Sequence, residues 1–87
     1  MEIIYSATAQ NDIAYWKEKK GAEKIRLRIS ELIRAITESP FVGIGKPEPL
    51  KYGLSGKWSR RIDRENRIVY SIDLGKIKIH SLRGHYK

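Results

Sequence analysis

A carboxylate between two prolines, three arginines around a short turn, and a histidine–tyrosine pair near the end of the chain are the groups whose types and spacing could act together. Glu48 lies in Lys46-Pro47-Glu48-Pro49-Leu50-Lys51, where the prolines stiffen the backbone and the lysines favour an ionised carboxylate. An ionised carboxylate is a weak base, so its usefulness depends on how it is positioned. Arg60, Arg61 and Arg67 are candidate phosphate clamps. Neighbouring side chains in a strand point to opposite faces, so Arg60 and Arg61 cannot both line one cleft. Arg61 and Arg67 share a face if a three-residue loop pairs Ile62 with Asn66, and a two-residue loop separates them. Asn66 suits the left-handed backbone that such loops use. The imidazole of His85 can donate a proton near neutrality, and Tyr86 can stack on a base or hydrogen-bond a phosphate.

That inventory fits cleavage of RNA. The substrate brings its own nucleophile, the ribose 2′-hydroxyl. The protein then supplies a proton acceptor, positive charge beside the phosphate and a donor for the leaving 5′-oxygen. Other chemistries are poorly served. With no cysteine, disulfides, thiolate metal sites and a cysteine nucleophile are excluded. Two histidines without ligand spacing make no metal site, and Gly43 and Gly45 lead into Pro47 rather than into a phosphate-cradling helix. No cofactor or metal is expected.

Charge supports an anionic partner. Residues 1–40 hold seven Lys+Arg against six Asp+Glu, whereas residues 41–87 hold eleven against four, so nearly all of the net +8 lies in the half that carries the candidate residues. A basic RNA- or ribosome-binding module without catalysis, and a basic cleft for an acidic peptide, are the alternatives on charge alone. At 87 residues the chain supports one domain, residues 1–87, with a modest core. It has no long apolar run and no signal-peptide pattern at its start, so a soluble intracellular protein without membrane association is expected.

The elements that must hold these groups follow from spacing. Residues 2–5 read as a strand ended by Ser6, a helix N-cap, and Ala9, Ile13 and Trp16 mark a helix from Ala7 to Glu18. Gly21 breaks it. A second helix runs from Glu23 to Glu38, with Ile25, Ile29, Leu32 and Ile36 on one stripe, and Ser39-Pro40 ends it. Residues 41–49, with two glycines and two prolines, read as irregular. Strands are expected at Leu50–Leu54, Trp58–Ile62, Arg67–Ile72 and Lys76–Leu82, close enough together to form an antiparallel meander. The predicted fold is α+β, a strand and a two-helix hairpin packed on an antiparallel sheet of four to five strands. His80, Trp16 and Trp58 read as structural.

Taken in order, Gly45-Lys46-Pro47-Glu48-Pro49-Leu50-Lys51, Leu54-Ser55-Gly56, Trp58-Ser59-Arg60-Arg61-Ile62, Arg67-Ile68-Val69-Tyr70 and His85-Tyr86 resemble the YoeB (Txe) toxins of the RelE superfamily. Tyr15-Trp16 and Glu31-Leu32-Ile33 extend the resemblance across the chain. It implies a RelE-like fold and the toxin of a type II toxin–antitoxin system, a cytoplasmic, ribosome-dependent endoribonuclease that cuts mRNA in the A site. It also implies Glu48 as general base, Arg67 at the phosphate, His85 and Tyr86 as acid and positioning group, and Lys46, Lys51 and Arg61 as RNA-binding cations. A YefM/Phd-type antitoxin, the ribosome with its mRNA, and operator DNA reached through the antitoxin complex are the implied partners, and a homodimer is compatible. The family typically stops at the tyrosine, so Lys87 is expected to move the terminal carboxylate outward.

Overall fold

The computed structural model describes residues 1–84, and His85, Tyr86 and Lys87 lie outside the described residues. The elements are β1 (Glu2–Tyr5), α1 (Ala7–Glu18), α2 (Glu23–Glu38), β2 (Glu48–Pro49), a 3₁₀ turn (Tyr52–Leu54), β3 (Trp58–Arg61), β4 (Arg67–Asp73) and β5 (Lys76–Ser81). Both helices match their expected ranges. Ser6 caps α1 and also ties it to the sheet: its hydroxyl accepts from Ala9 N at 3.0 Å and donates to His80 O at 2.8 Å. Ile29, Leu32 and Ile36 of α2 join Ile68, Tyr70, Ile77 and Ile79 of the sheet in one core. Burial of that stripe, more than helix propensity, holds α2 in place.

The sheet order is β1-β5-β4-β3-β2. β2 to β5 are antiparallel, as the short connections require, and Leu74 and Gly75, both at positive φ, turn β4 into β5. Two expectations need correction. β1 lies parallel to β5, so the sheet is mixed; that register sets Ile3 and Tyr5 beside Ile77 and Ile79 on the core face. The Leu50–Leu54 segment is not a strand. Pro49 has no N–H to continue a ladder, and Tyr52 takes a φ of 62°, which turns the chain into the 3₁₀ segment. The pairing with β3 is made earlier instead, by Glu48 and Pro49 against Ser59 and Trp58. The candidate base therefore sits on an edge strand, not in an irregular loop.

Helix α1 also fixes the end of the described chain. Trp16 Nε1 donates to Leu82 O at 2.9 Å, and Asp12 accepts from Leu82 N at 2.9 Å. Beyond Leu82, Gly84 N donates to Asn66 Oδ1 at 2.9 Å and Gly84 O accepts from Arg67 N at 3.0 Å. The segment is thus led from the helix layer to the turn between β3 and β4. Trp16→Phe keeps a ring in the core but orphans the Leu82 carbonyl. The variant should lose about 1–3 kcal/mol of unfolding free energy in a urea titration, and a loss within error of zero would show that this tie carries no weight.

Candidate functional site

The approach to Glu48 is built around a buried cation. Arg60 lies on the core face of β3 opposite Ile68 and is 0% exposed. A charge there is tolerable only if every donor finds an acceptor. Its Nη2 donates to Ser39 O and, at 3.0 Å, to Val42 O; its Nη1 donates to Ile44 O at 3.1 Å and its Nε to the Tyr70 hydroxyl at 3.2 Å. Tyr70 in turn donates to Pro40 O at 2.6 Å. Burial pushes the Tyr70 hydroxyl above its ordinary pKa of 10.0, against the opposing pull of Arg60. Arg60 is therefore no phosphate clamp. It gathers the carbonyls of the segment after α2 onto one side chain.

From there the chain is delivered to the sheet edge. Gly45 O accepts from Arg61 N at 2.6 Å, and a Cβ at Gly45 would come within 2.7 Å of Leu32 Cδ2. Only glycine fits that approach, at a φ of 82°. Lys46 follows, exposed, at a φ of 55°, and Glu48 then pairs with Ser59.

Strand register sets the rest. Arg61 is directly opposite Arg67, the arrangement a three-residue loop allows, and Ile62 N donates to Asn66 O at 2.9 Å. Asn66 is not left-handed, however. The turn is held by Asp63 Oδ1, which accepts from Glu65 N, Asn66 N and Asn66 Nδ2. By alternation, Glu48, Ser59, Arg61 and Arg67 share the face turned away from the helices. The register thus sets two guanidinium-bearing side chains opposite each other on that face. Arg67 Nη1 donates to the carbonyls of Asp63, Arg64 and Asn66, which fixes its direction. Glu48, Lys51 and Arg61 are exposed and Arg67 is half-buried. His85 and Tyr86 lie outside the described residues; the tether described above ends one residue before them, against Arg67 N.

Two features were not legible from the sequence. The Arg83 guanidinium carbon lies 3.6 Å from the Tyr15 ring centroid, adding a cation–π contact between α1 and the C-terminal segment. His80 Nε2 and Ser71 Oγ are 2.8 Å apart on the same face as Arg61 and Arg67. Burial first, then Lys57 and Lys78, holds His80 below its ordinary pKa of 6.5.

A sequence profile described as the YoeB-like toxin of bacterial type II toxin–antitoxin systems matches residues 5–86. The chain belongs to that family. A toxin YoeB of Escherichia coli strain K12 is 44% identical over 86 residues, covering 99% of this chain and 100% of its own. A YoeB/ParE toxin from Agrobacterium tumefaciens superposes with a TM-score of 0.92 at 34% identity, over 99% of this chain and 100% of that one. A Staphylococcus aureus YoeB, 40% identical, was solved as a dimer with a TM-score of 0.89 and in complex with YefM with a TM-score of 0.87, each over 99% of this chain and 98% of that one. As a YoeB-like protein the chain is the toxin of a type II toxin–antitoxin system, and its α+β fold is that of its relatives.

Two measurements probe this construction. Arg60→Met orphans several carbonyls at once and should cost about 2 kcal/mol or more. Arg60→Lys should recover little of it, because an ammonium cannot span the fork's acceptors; full recovery in calorimetry would contradict the role given to the guanidinium. For His80, the depressed folded pKa means that the unfolded chain takes up the proton first as pH falls through 6.5. The contribution is present above that pH and is lost below it. His80→Gln should therefore flatten the fall of the urea midpoint between about pH 7 and 5, and an unchanged slope would count against it.

Proposed function

We propose that this toxin is a metal-independent, ribosome-dependent endoribonuclease that cuts mRNA in the ribosomal A site. The observation that carries the reading is the register that puts Glu48, Arg61 and Arg67 of three neighbouring strands on one face. In this mechanism Glu48 accepts the proton of the ribose 2′-hydroxyl. The 2′-oxygen attacks the adjacent phosphorus while Arg61 and Arg67 balance the charge gathering on its oxygens. His85 gives its proton to the departing 5′-oxygen, and Tyr86 positions that group. A 2′,3′-cyclic phosphate and a 5′-hydroxyl result. Lys46 and Lys51 hold the flanking backbone.

Among the described residues the candidate groups lie on a sheet face, with Glu48, Lys51 and Arg61 exposed at it. A groove of about 680 Å³ between α2 and residues 39–44 contains none of the candidate residues. A small-molecule substrate would want enclosure, whereas a polymer held by a larger scaffold does not. A base on an exposed edge also gains most from external positioning, which can lower a barrier by several kcal/mol. This supports dependence on the ribosome. By analogy with the S. aureus protein, a YefM-type antitoxin is the cognate partner and a homodimer is the free form. Operator DNA would be reached through the antitoxin, and the place of action is the cytoplasm.

Expression of the wild type should arrest growth, with message cut within translated codons. Arg67→Ala and His85→Ala should each lower the cleavage rate on programmed ribosomes by about 10²-fold or more and relieve the arrest. Naked RNA should be cut far more slowly. Undiminished toxicity in both variants, or equal cleavage of naked and ribosome-bound RNA, would overturn the reading.

A further inference from the structure

The face that carries Glu48 and the two arginines continues along the strands into a second group of charges. Extending the β3–β4 register by one residue beyond Trp58↔Tyr70 places Lys57 opposite Ser71, and Ser71 is itself opposite Lys78 of β5. Two residues farther along, Asp73 faces Lys76, which pairs with Glu2 across β1, the two side chains 3.8 Å apart. These neighbouring rows differ in balance. The outer row flanks its cation with a carboxylate on each neighbouring strand, and Glu2 is within ion-pair distance of it. The inner row has two lysines, and among the described residues neither meets a carboxylate within ion-pair distance.

His80 is turned into this inner row. The β4–β5 ladder runs regularly from Asp73↔Lys76 to Tyr70↔Ile79 and then slips, so that Val69 faces Ser81 and His80 is the extra residue. Bulges of this kind re-aim a side chain. Here the imidazole Nε2 meets the Ser71 hydroxyl at 2.8 Å, while Ser6 holds the backbone of the bulge through its bond to His80 O. The groups facing the ring are Lys57 before β3, Ser71 on β4 and Lys78 on β5; β1 contributes Ile4 to this row and no charge. Both ammonium groups are near enough to oppose protonation of the imidazole.

We infer that Lys57, Ser71, Lys78 and His80 form a second phosphate subsite, which holds the RNA backbone beyond the phosphodiester engaged by Arg61 and Arg67. The inference rests on the endoribonuclease reading and deepens it. The inner row lies four residues along the strands from the arginine pair, about 13 Å, with the Glu48–Ser59–Val69 row between them. A single strand laid along β3 and β4 would thus meet arginines at the scissile phosphate and lysines at a phosphate farther along the same strand. The bulged histidine gives the subsite a group whose protonation reports its occupancy, because a phosphate would offset the two ammonium charges.

The test uses the full-length toxin and a short RNA in which every ribose is 2′-O-methylated, so that it binds without being cut. The His80 imidazole is followed by NMR over pH, its signal assigned with His80→Gln. The oligonucleotide should raise the titration midpoint of His80. In Lys57→Gln/Lys78→Gln it should bind severalfold more weakly, with the salt dependence shallower by about 1 in the log–log slope. In turnover on ribosomes that double variant should show a raised KM with kcat kept. An unmoved midpoint and an unchanged salt slope, with wild-type cleavage intact, would overturn the subsite and leave the activity standing. A midpoint raised by an acidic peptide and not by the oligonucleotide would overturn it too. Absence of RNA cleavage by the wild type would instead remove the reading beneath it.

Discussion

One buried guanidinium organises the functional end of this toxin. Arg60 reaches out of the core layer and gathers backbone oxygens from Ser39, Val42 and Ile44, while Tyr70 carries the same network to Pro40. No carboxylate takes part among these bonds. Among the described residues the cation is stabilised by oriented dipoles, so its stability depends on the segment after α2 keeping one shape. That shape brings Gly45 against β3, and the next residues become the edge strand that bears Glu48. Arg60 is one of the links between the core and the strand that bears the candidate base.

The neighbouring arginine does the opposite work. Arg61 follows Arg60 in sequence, yet alternation sends it to the other face, where it opposes Arg67. A strand with one arginine inward and one outward ties the core on one side and adds positive charge to the sheet face on the other. Lys57 and Lys78 extend that positive face along the strands. In the proposed function this is the surface that meets a polyanion.

Much of this was legible in the sequence, and the exceptions share a cause. Ser6 and the stripe of α2 are local or follow from period, and the structure agrees with them; for Arg61 and Arg67, parity left two loop lengths open, and the structure adopts the one that puts them on a shared face. The parallel placement of β1, the burial of Arg60 and the edge strand at Glu48 depend on partners far away in the chain. Pro47 and Pro49 argued for irregular structure around Glu48, but an edge strand tolerates proline where its N–H is not needed. Asn66 was expected to supply a left-handed residue. The Asp63 side chain closes the turn instead, an option that residue type alone does not decide. His80 read as structural, and its bulge, which turns it to Ser71, is a matter of register that no single strand records.

The central claim is that the substrate's own 2′-hydroxyl is the nucleophile, with the protein supplying acid, base and cations on one sheet face. The most direct measurement is the chemistry of the ends left on ribosome-bound message by the wild-type toxin. The account predicts a 2′,3′-cyclic phosphate on the upstream fragment, a 5′-hydroxyl on the downstream one, and no cleavage when the nucleotide before the scissile phosphate is 2′-deoxy. A 5′-phosphate product, or undiminished cleavage of the 2′-deoxy message, would contradict it.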